Sequence, residues 1–225
     1  MYLKGIDLKE YTDGGIEKYN KNSALIEEGS AFKGLFYIKK GIVKILKKNS
    51  NGKELLMCFI TEGDMIGITT FFNDEKYQFS AVAMNDCEVL FIKPDDFKIL
   101  MKNSNEITKK MMEALIQRID FFENWMTNVL SLSMHKRLAE TLIYYSLMNN
   151  NNENSDLGKD DITFNYSIDE LAGITGSSNS YVIKILQHFS KKKLIEKINS
   201  DELKISNYVG LIHEANTDSI GELTK

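Results

Sequence analysis

Residues 167–189 read Ser-Ile-Asp-Glu-Leu-Ala-Gly-Ile-Thr-Gly-Ser-Ser-Asn-Ser-Tyr-Val-Ile-Lys-Ile-Leu-Gln-His-Phe. The opening Ser167-Ile168-Asp169-Glu170 is a capping box, in which the serine oxygen accepts from the N3 amide and the glutamate reaches back. Leu171 and Ala172 continue a first short helix, with Ala172 small where two crossing helices must approach. Gly173-Ile174-Thr175-Gly176 then makes a tight connection, and Gly176 is free to turn left-handed. Ser177 or Ser178 caps a second helix whose inner face is Val182, Ile185, Leu186 and Phe189. Two short helices, a glycine-containing turn and this apolar spacing form a helix-turn-helix signature, with an unrelated helical hairpin as the alternative.

If that face is buried, Ser178, Asn179, Ser180, Tyr181 and Lys184 are left on the N-terminal half of the second helix. In such motifs this half enters the major groove of double-stranded DNA. Asparagine pairs bidentately with adenine, lysine reaches guanine acceptors, and the helix-start amides suit a phosphate. Further on, Glu196-Lys197-Ile198 and Leu203-Lys204-Ile205 alternate around Asn199-Ser200-Asp201-Glu202, a two-strand wing with Lys191, Lys192 and Lys193 at its base. Residues 135–225 carry 10 basic and 13 acidic side chains, yet residues 181–197 hold five lysines against Glu196 alone. A lysine run is most often a solvated face; abutting a reading helix, it becomes a phosphate-contact candidate.

The first hundred residues read as β structure. Apolar runs recur at 24–27, 35–38, 42–46, 55–60, 79–84 and 89–92, broken by Gly29, Gly41, Gly52, Gly63 and Gly67. Asn51-Gly52 between two runs is a hairpin signal, and the even spacing predicts a barrel or sandwich rolled to hide its edges. At Pro94-Asp95-Asp96-Phe97 the period changes to helical, and after Asn103-Ser104-Asn105 a long helix is predicted over 106–132. Met112, Leu115, Ile119, Phe122, Met126 and Val129 recur at intervals of 3 and 4, a heptad seam for a second copy of the chain. Ile107, Met111, Ile116, Phe121 and Trp125 lie off that seam, so more than one side must be buried. An intramolecular core helix is the alternative. A further helix is predicted over 136–148, followed by a polar, asparagine-rich surface loop at 149–161.

Composition narrows the classes. The 225 residues are 43% hydrophobic and 27% charged with net charge −4, those of an ordinary globular protein rather than a basic nucleic-acid coat. No apolar run reaches the roughly 18–20 residues a membrane span needs, and the N-terminus lacks a secretory signal. Cys58 and Cys87 make no disulfide framework, so a reducing cytoplasm is the expected location; both thiols are read as buried and structural, with a redox switch as the alternative. An enzyme of cupin type lacks ligands: no histidine precedes His135, and neither a metal nor another cofactor is expected.

The order of parts resembles the Crp/Fnr family of bacterial transcription factors over about residues 20–206. Ile26-Glu27-Glu28-Gly29, Phe36-Tyr37-Ile38-Lys39-Lys40-Gly41, Asn51-Gly52-Lys53-Glu54 and Gly63-Asp64-Met65-Ile66-Gly67 match its glycine landmarks in order. Arg137-Leu138-Ala139-Glu140-Thr141-Leu142 resembles its hinge-proximal helix, and residues 168–172 and 176–182 its DNA-binding motif. The resemblance implies an α+β chain in three parts: a cyclic-nucleotide-binding-like β-roll (jelly roll) that senses an effector (1–101), a long dimerisation helix (102–133) and a C-terminal winged helix-turn-helix (134–225). It also implies an effector pocket near Ile66, Gly67, Ile68, Thr69, Phe79 and Ser80, roofed by Phe122.

The departures are informative. Cyclic-AMP responders carry Glu after the glycine matching Gly67, then an Arg-Ser pair, then Thr-Ser on the long helix. Here these positions hold Ile68, Phe79-Ser80 (Tyr77-Gln78 without a gap) and Phe122-Glu123, which favours a hydrophobic or aromatic effector, or side chains that simply fill the roll. Two cysteines exclude the four-cysteine iron–sulfur sensor. On the reading helix, the family's Arg and Glu positions hold Asn179 and Ser180, and only Lys184 keeps the basic character of the third, so the DNA sequence read differs from the cyclic-AMP type. The expectation is a homodimeric, sequence-specific transcriptional regulator, not an enzyme, whose partners are DNA, an unidentified small effector and, as a further candidate, RNA polymerase. The rival reading is a ligand-binding dimeric adaptor whose winged helix contacts protein.

Overall fold

The structure, a computed structural model, describes residues 12–52, 54–73, 75–149 and 162–215. The predicted loop at 149–161, apart from the helical Asn149, and the tail beyond Ala215 lie outside the described residues. The chain forms two compact units, 1–123 and 124–225, which divide inside a long helix.

The first unit is a jelly roll of two four-stranded antiparallel sheets. Its strands are β1 (Ile16–Tyr19), β2 (Ala24–Ile26), β3 (Leu35–Lys40), β4 (Val43–Lys48), β5 (Glu54–Ile60), β6 (Met65–Ile66), β7 (Ser80–Ala83) and β8 (Cys87–Ile92). One sheet runs β1-β8-β3-β6 and the other β2-β7-β4-β5. The β4–β5 hairpin turns where Asn51-Gly52 predicts it, with Gly52 at φ +77°.

Three helices accompany the roll: α1 (Ile68–Asn73), α2 (Pro94–Asn103) and α3 (Asn105–Ser131). Pro94 opens α2 with Asp95 and Asp96 in its first turn, favourable at the positive end of the helix dipole. The helices explain why β3 is buried on both faces. Phe36 and Ile38 point into the roll with Val43, Ile60, Ile66, Ala81, Cys87 and Val89. Their neighbours Leu35 and Tyr37 point the other way, packing with Met65, Ile68, Leu90, Ile92, Phe97, Leu100, Ile107 and Met111. A strand covered on both sides reads as a continuous apolar run rather than an alternation.

The second unit holds the end of α3, then α4 (Met134–Asn149), β9 (Ile162–Asn165), α5 (Ile168–Thr175), α6 (Asn179–Lys191), β10 (Ile195–Lys197), β11 (Glu202–Ile205) and α7 (Tyr208–Ala215). Its core is Leu138, Leu142, Ile143 and Tyr145 of α4 with Leu171, Ile185, Phe189 and Leu211. The wing is three-stranded, ordered β10-β11-β9, instead of the two-stranded hairpin expected. Among the described residues, no helix is long and apolar enough to cross a membrane.

Candidate nucleic-acid interface and roll interior

The helix-turn-helix is built from local capping chemistry. Ser167 Oγ accepts from the Glu170 amide at 3.0 Å, while the Glu170 carboxylate accepts from the Tyr145 hydroxyl at 3.5 Å, tying α5 to α4. The first helix is longer than its sequence reading: Gly173, Ile174 and Thr175 are helical, with Ile174 and Thr175 buried, and the turn is Gly176–Ser178. Gly176 sits at φ +64°, and the amides of Ser177 and Gly176 bond back to the carbonyls of Ala172 (2.9 Å) and Gly173 (3.2 Å). This Schellman pair needs a left-handed residue, which glycine supplies without strain.

Ser178 is the N-cap of α6: its Oγ accepts from the Tyr181 amide at 3.4 Å and lies 3.2 Å from the Ser180 hydroxyl. Ser178 is exposed, and its oxygen caps its own helix. Val182, Ile185, Leu186 and Phe189 are buried, which leaves Ser180, Tyr181 and Lys184 exposed and Asn179 half-buried. Asn179 has a protein partner that the sequence reading did not include: its Nδ2 donates to Asp169 Oδ1 of α5 at 2.9 Å.

The lysine run is less uniform than its sequence. Lys193 takes φ +58°, closing α6 by a second Schellman pair in which the Leu194 and Lys193 amides reach the Phe189 and Ser190 carbonyls. The Lys192 ammonium is paired with Glu214 of α7, so the run is not three equivalent cations. Lys191 and Lys193 are exposed. The signal for the Glu214 contact was absent from the spacing, since 22 residues separate the partners. The wing's extra strand was legible: Ile162-Thr163-Phe164-Asn165 alternates apolar and polar, and Phe164 is buried opposite Leu203.

The predicted effector-pocket residues lie in different surroundings. Ile66 faces the roll interior and Ile68, in α1, the opposite layer; the alternation of a strand and the start of a helix separate them. Gly67 between them takes φ +99°, and a Cβ there would lie 3.1 Å from the Gly34 carbonyl oxygen. Thr69 is exposed, and Ser80 Oγ accepts from the Glu28 amide at 3.1 Å. Phe79 and Phe122, with Phe121, pack against the interior cluster; Phe79 meets Tyr77 edge-on at 6.0 Å. Aromatic rings from the segment before β7 and from α3 therefore pack against the roll's interior cluster.

A small cleft of about 20 Å³, room for about one water, lies against α3 between Asp64, Met65, Ile68, Met111, Leu115 and Arg118. Arg118 is one of only two arginines in the chain, a rarity that could have singled it out. Cys58 is inside the roll, where burial pushes its thiol up more than Arg118 pulls it down; burial likewise raises Cys87. Reactive cysteines are shifted the other way.

On α3 the exposed apolar row differs from the predicted heptad positions. Leu115 packs against the helix-covered layer and Phe122 against the roll interior, while Val129 lies near Gly176. The large apolar residues more than half exposed on α3 are Met112, Ile116, Ile119, Met126 and Leu130. Ile116 and Leu130 thus replace Leu115 and Val129 in the outward row.

An eight-stranded roll with attendant helices, followed by a winged helix-turn-helix, defines the class by its architecture. The cyclic nucleotide-binding domain family matches residues 16–104. The chain is 27% identical over 181 residues to the cAMP-activated global transcriptional regulator CRP of Salmonella typhimurium, covering 80% of this chain and 84% of that one. Among solved structures, a CRP/FNR-family transcriptional regulator of Thermus thermophilus superposes with a TM-score of 0.74 at 15% identity, over 90% of this chain and 99% of that one. FixK2 of Bradyrhizobium japonicum gives 0.72 at 15%, over 92% and 100%. At such identities the structures speak for the fold. Beyond the cyclic nucleotide-binding domain matched at residues 16–104, the chain as a whole is similar in sequence and fold to transcriptional regulators of the CRP/FNR family.

Proposed function

We propose that the chain is a homodimeric, sequence-specific DNA-binding regulator whose roll senses a small effector and shifts the spacing of two recognition helices. The observation that carries this is α6: an amphipathic, serine-capped helix with its apolar face buried and Ser180, Tyr181 and Lys184 turned outward. Asn179 and Lys184 supply base contacts, while Lys191 and Lys193 supply salt-sensitive phosphate contacts. The outward row on α3 is the surface for the second copy, because two half-sites one helical repeat apart demand a paired reader.

The effector is not cyclic AMP on this reading. Ile68 is buried where an acid would be needed, and Phe79 stands where a guanidinium would meet a phosphate. A charged nucleotide buried without a partner would be strongly disfavoured. An effector would act by binding one dimer state better than the other. RNA polymerase is the further partner through which bound protein would alter transcription.

A gel-shift series with duplexes from the chain's own upstream region, between about 50 and 200 mM salt, tests the reading. Sequence-selective retention that weakens linearly in log salt is expected. Absence of retention at low salt overturns it and leaves the protein-contacting adaptor.

A further inference from the structure

We propose that Asp169 is a positioning residue for base reading: it fixes which edge of the Asn179 amide meets the DNA, and so makes this position select adenine and reject guanine. This rests on the DNA-reading role proposed for α6. Asp169 is in the first turn of α5, ten residues before Asn179, and the helix-turn-helix brings their side chains to 2.9 Å in an exposed hydrogen bond.

The direction of that hydrogen bond follows from chemistry. An ionised carboxylate only accepts, so the edge of the Asn179 amide that faces Asp169 must be its NH2. One N–H is used there; the second N–H and the carbonyl Oδ1 remain. Those two groups form one donor and one acceptor, the complement of adenine's N7 acceptor and N6 amino donor in the major groove. Guanine offers two acceptors, N7 and O6, at the same edge. Oδ1 would then face an acceptor, with the Asp169 charge adding repulsion.

The terminal amide torsion of asparagine is otherwise broad and roughly two-fold, so a side chain without this partner must be ordered at the moment of binding. Ordering in advance removes that cost. Asp169 also has an unfavourable effect: a negative charge beside the backbone phosphates lowers affinity for every sequence. The residue trades general affinity for discrimination at one base pair.

The test is selection of bound duplexes from a random library by the full-length protein, followed by titration of the selected site and its single-base variants. Wild type should prefer adenine over guanine at one position per half-site by roughly 5- to 150-fold, and Asn179→Ala should abolish that preference at that position. Asp169→Ala should cut it by about 2- to 12-fold, leave the other positions unchanged, and hold or raise affinity for unrelated DNA. A structural defect would instead weaken all sequences together. Asp169→Asn, which preserves size at the helix start but offers either edge to Asn179, should lose discrimination in the same direction. The double variant Asp169→Ala/Asn179→Ala should match Asn179→Ala alone in its base preference, because Asp169 acts through Asn179. Unchanged adenine preference in both Asp169 variants, or an Asp169 effect on base preference persisting in the Asn179→Ala background, overturns the proposal. If wild type selects no sequence at all, the DNA-reading role itself fails, and this inference with it.

Discussion

Glu140, near the start of α4, accepts from Asn128 Nδ2 at 2.9 Å. Burial pushes its carboxyl up to about 7, against the opposing pulls of the Asn128 hydrogen bond and Lys136. An acid whose pKa is higher folded than unfolded holds its proton more tightly in the native state, so stability falls as pH rises from about 4.5 through 7. Glu140→Gln keeps an oxygen for Asn128 and removes the charge. Because the group is only half-buried and solvent screens it, the gain above pH 7 should be about 1 kcal/mol, or about 2–4 °C in Tm. Thermal melts of both proteins from about pH 4 to 8 should converge at the acid end and part at the alkaline end; parallel curves would contradict the assignment. Nothing in the sequence pairs residues 128 and 140, which belong to two helices, and the same holds for Asp169 with Asn179. What was legible at this scale was capping, because Ser167 and Ser178 act on amides three residues away, within the reach of pattern reading.

Among the elements, α3 shows both what periodicity reveals and where it stops. Intervals of 3 and 4 identify an apolar helix, but a helix apolar on several sides does not declare which row faces inward. Leu115 and Phe122 face their own roll, leaving Ile116 and Ile119 outside. Ile116→Lys should therefore halve the mass seen by light scattering at micromolar concentration with little change in melting, whereas Leu115→Ala should cost about 2–3 kcal/mol of stability and leave the dimer intact. The reverse pattern would restore the seam read from sequence. The strands were legible wherever both faces are buried, as in Leu35–Ile38. The six-residue α1, Ile-Thr-Thr-Phe-Phe-Asn, was not: its β-branched and aromatic residues have low helix propensity, and packing of Ile68 and Thr70 holds it.

For the whole molecule, a net charge of −4 forbids reading DNA affinity from totals. Local pairing decides it: Lys192 already has Glu214, while Lys191 and Lys193 are exposed. Alanine at 191 or 193 should reduce the slope of log affinity against log salt by about 1 each, and alanine at 192 by less. Equal changes at all three, measured by fluorescence anisotropy, would show that the Glu214 pair opens on binding. The third strand of the wing bears on how the molecule can be divided. β11 bonds to β10 on one side and to β9 on the other, and β9 precedes the helix-turn-helix in the chain. A reading module excised from Ser167 onward would carry a raw sheet margin, with the amides and carbonyls of Glu202–Ile205 open to any passing strand. Such a fragment invites edge-to-edge aggregation, so a soluble minimal reader has to begin upstream of Ile162.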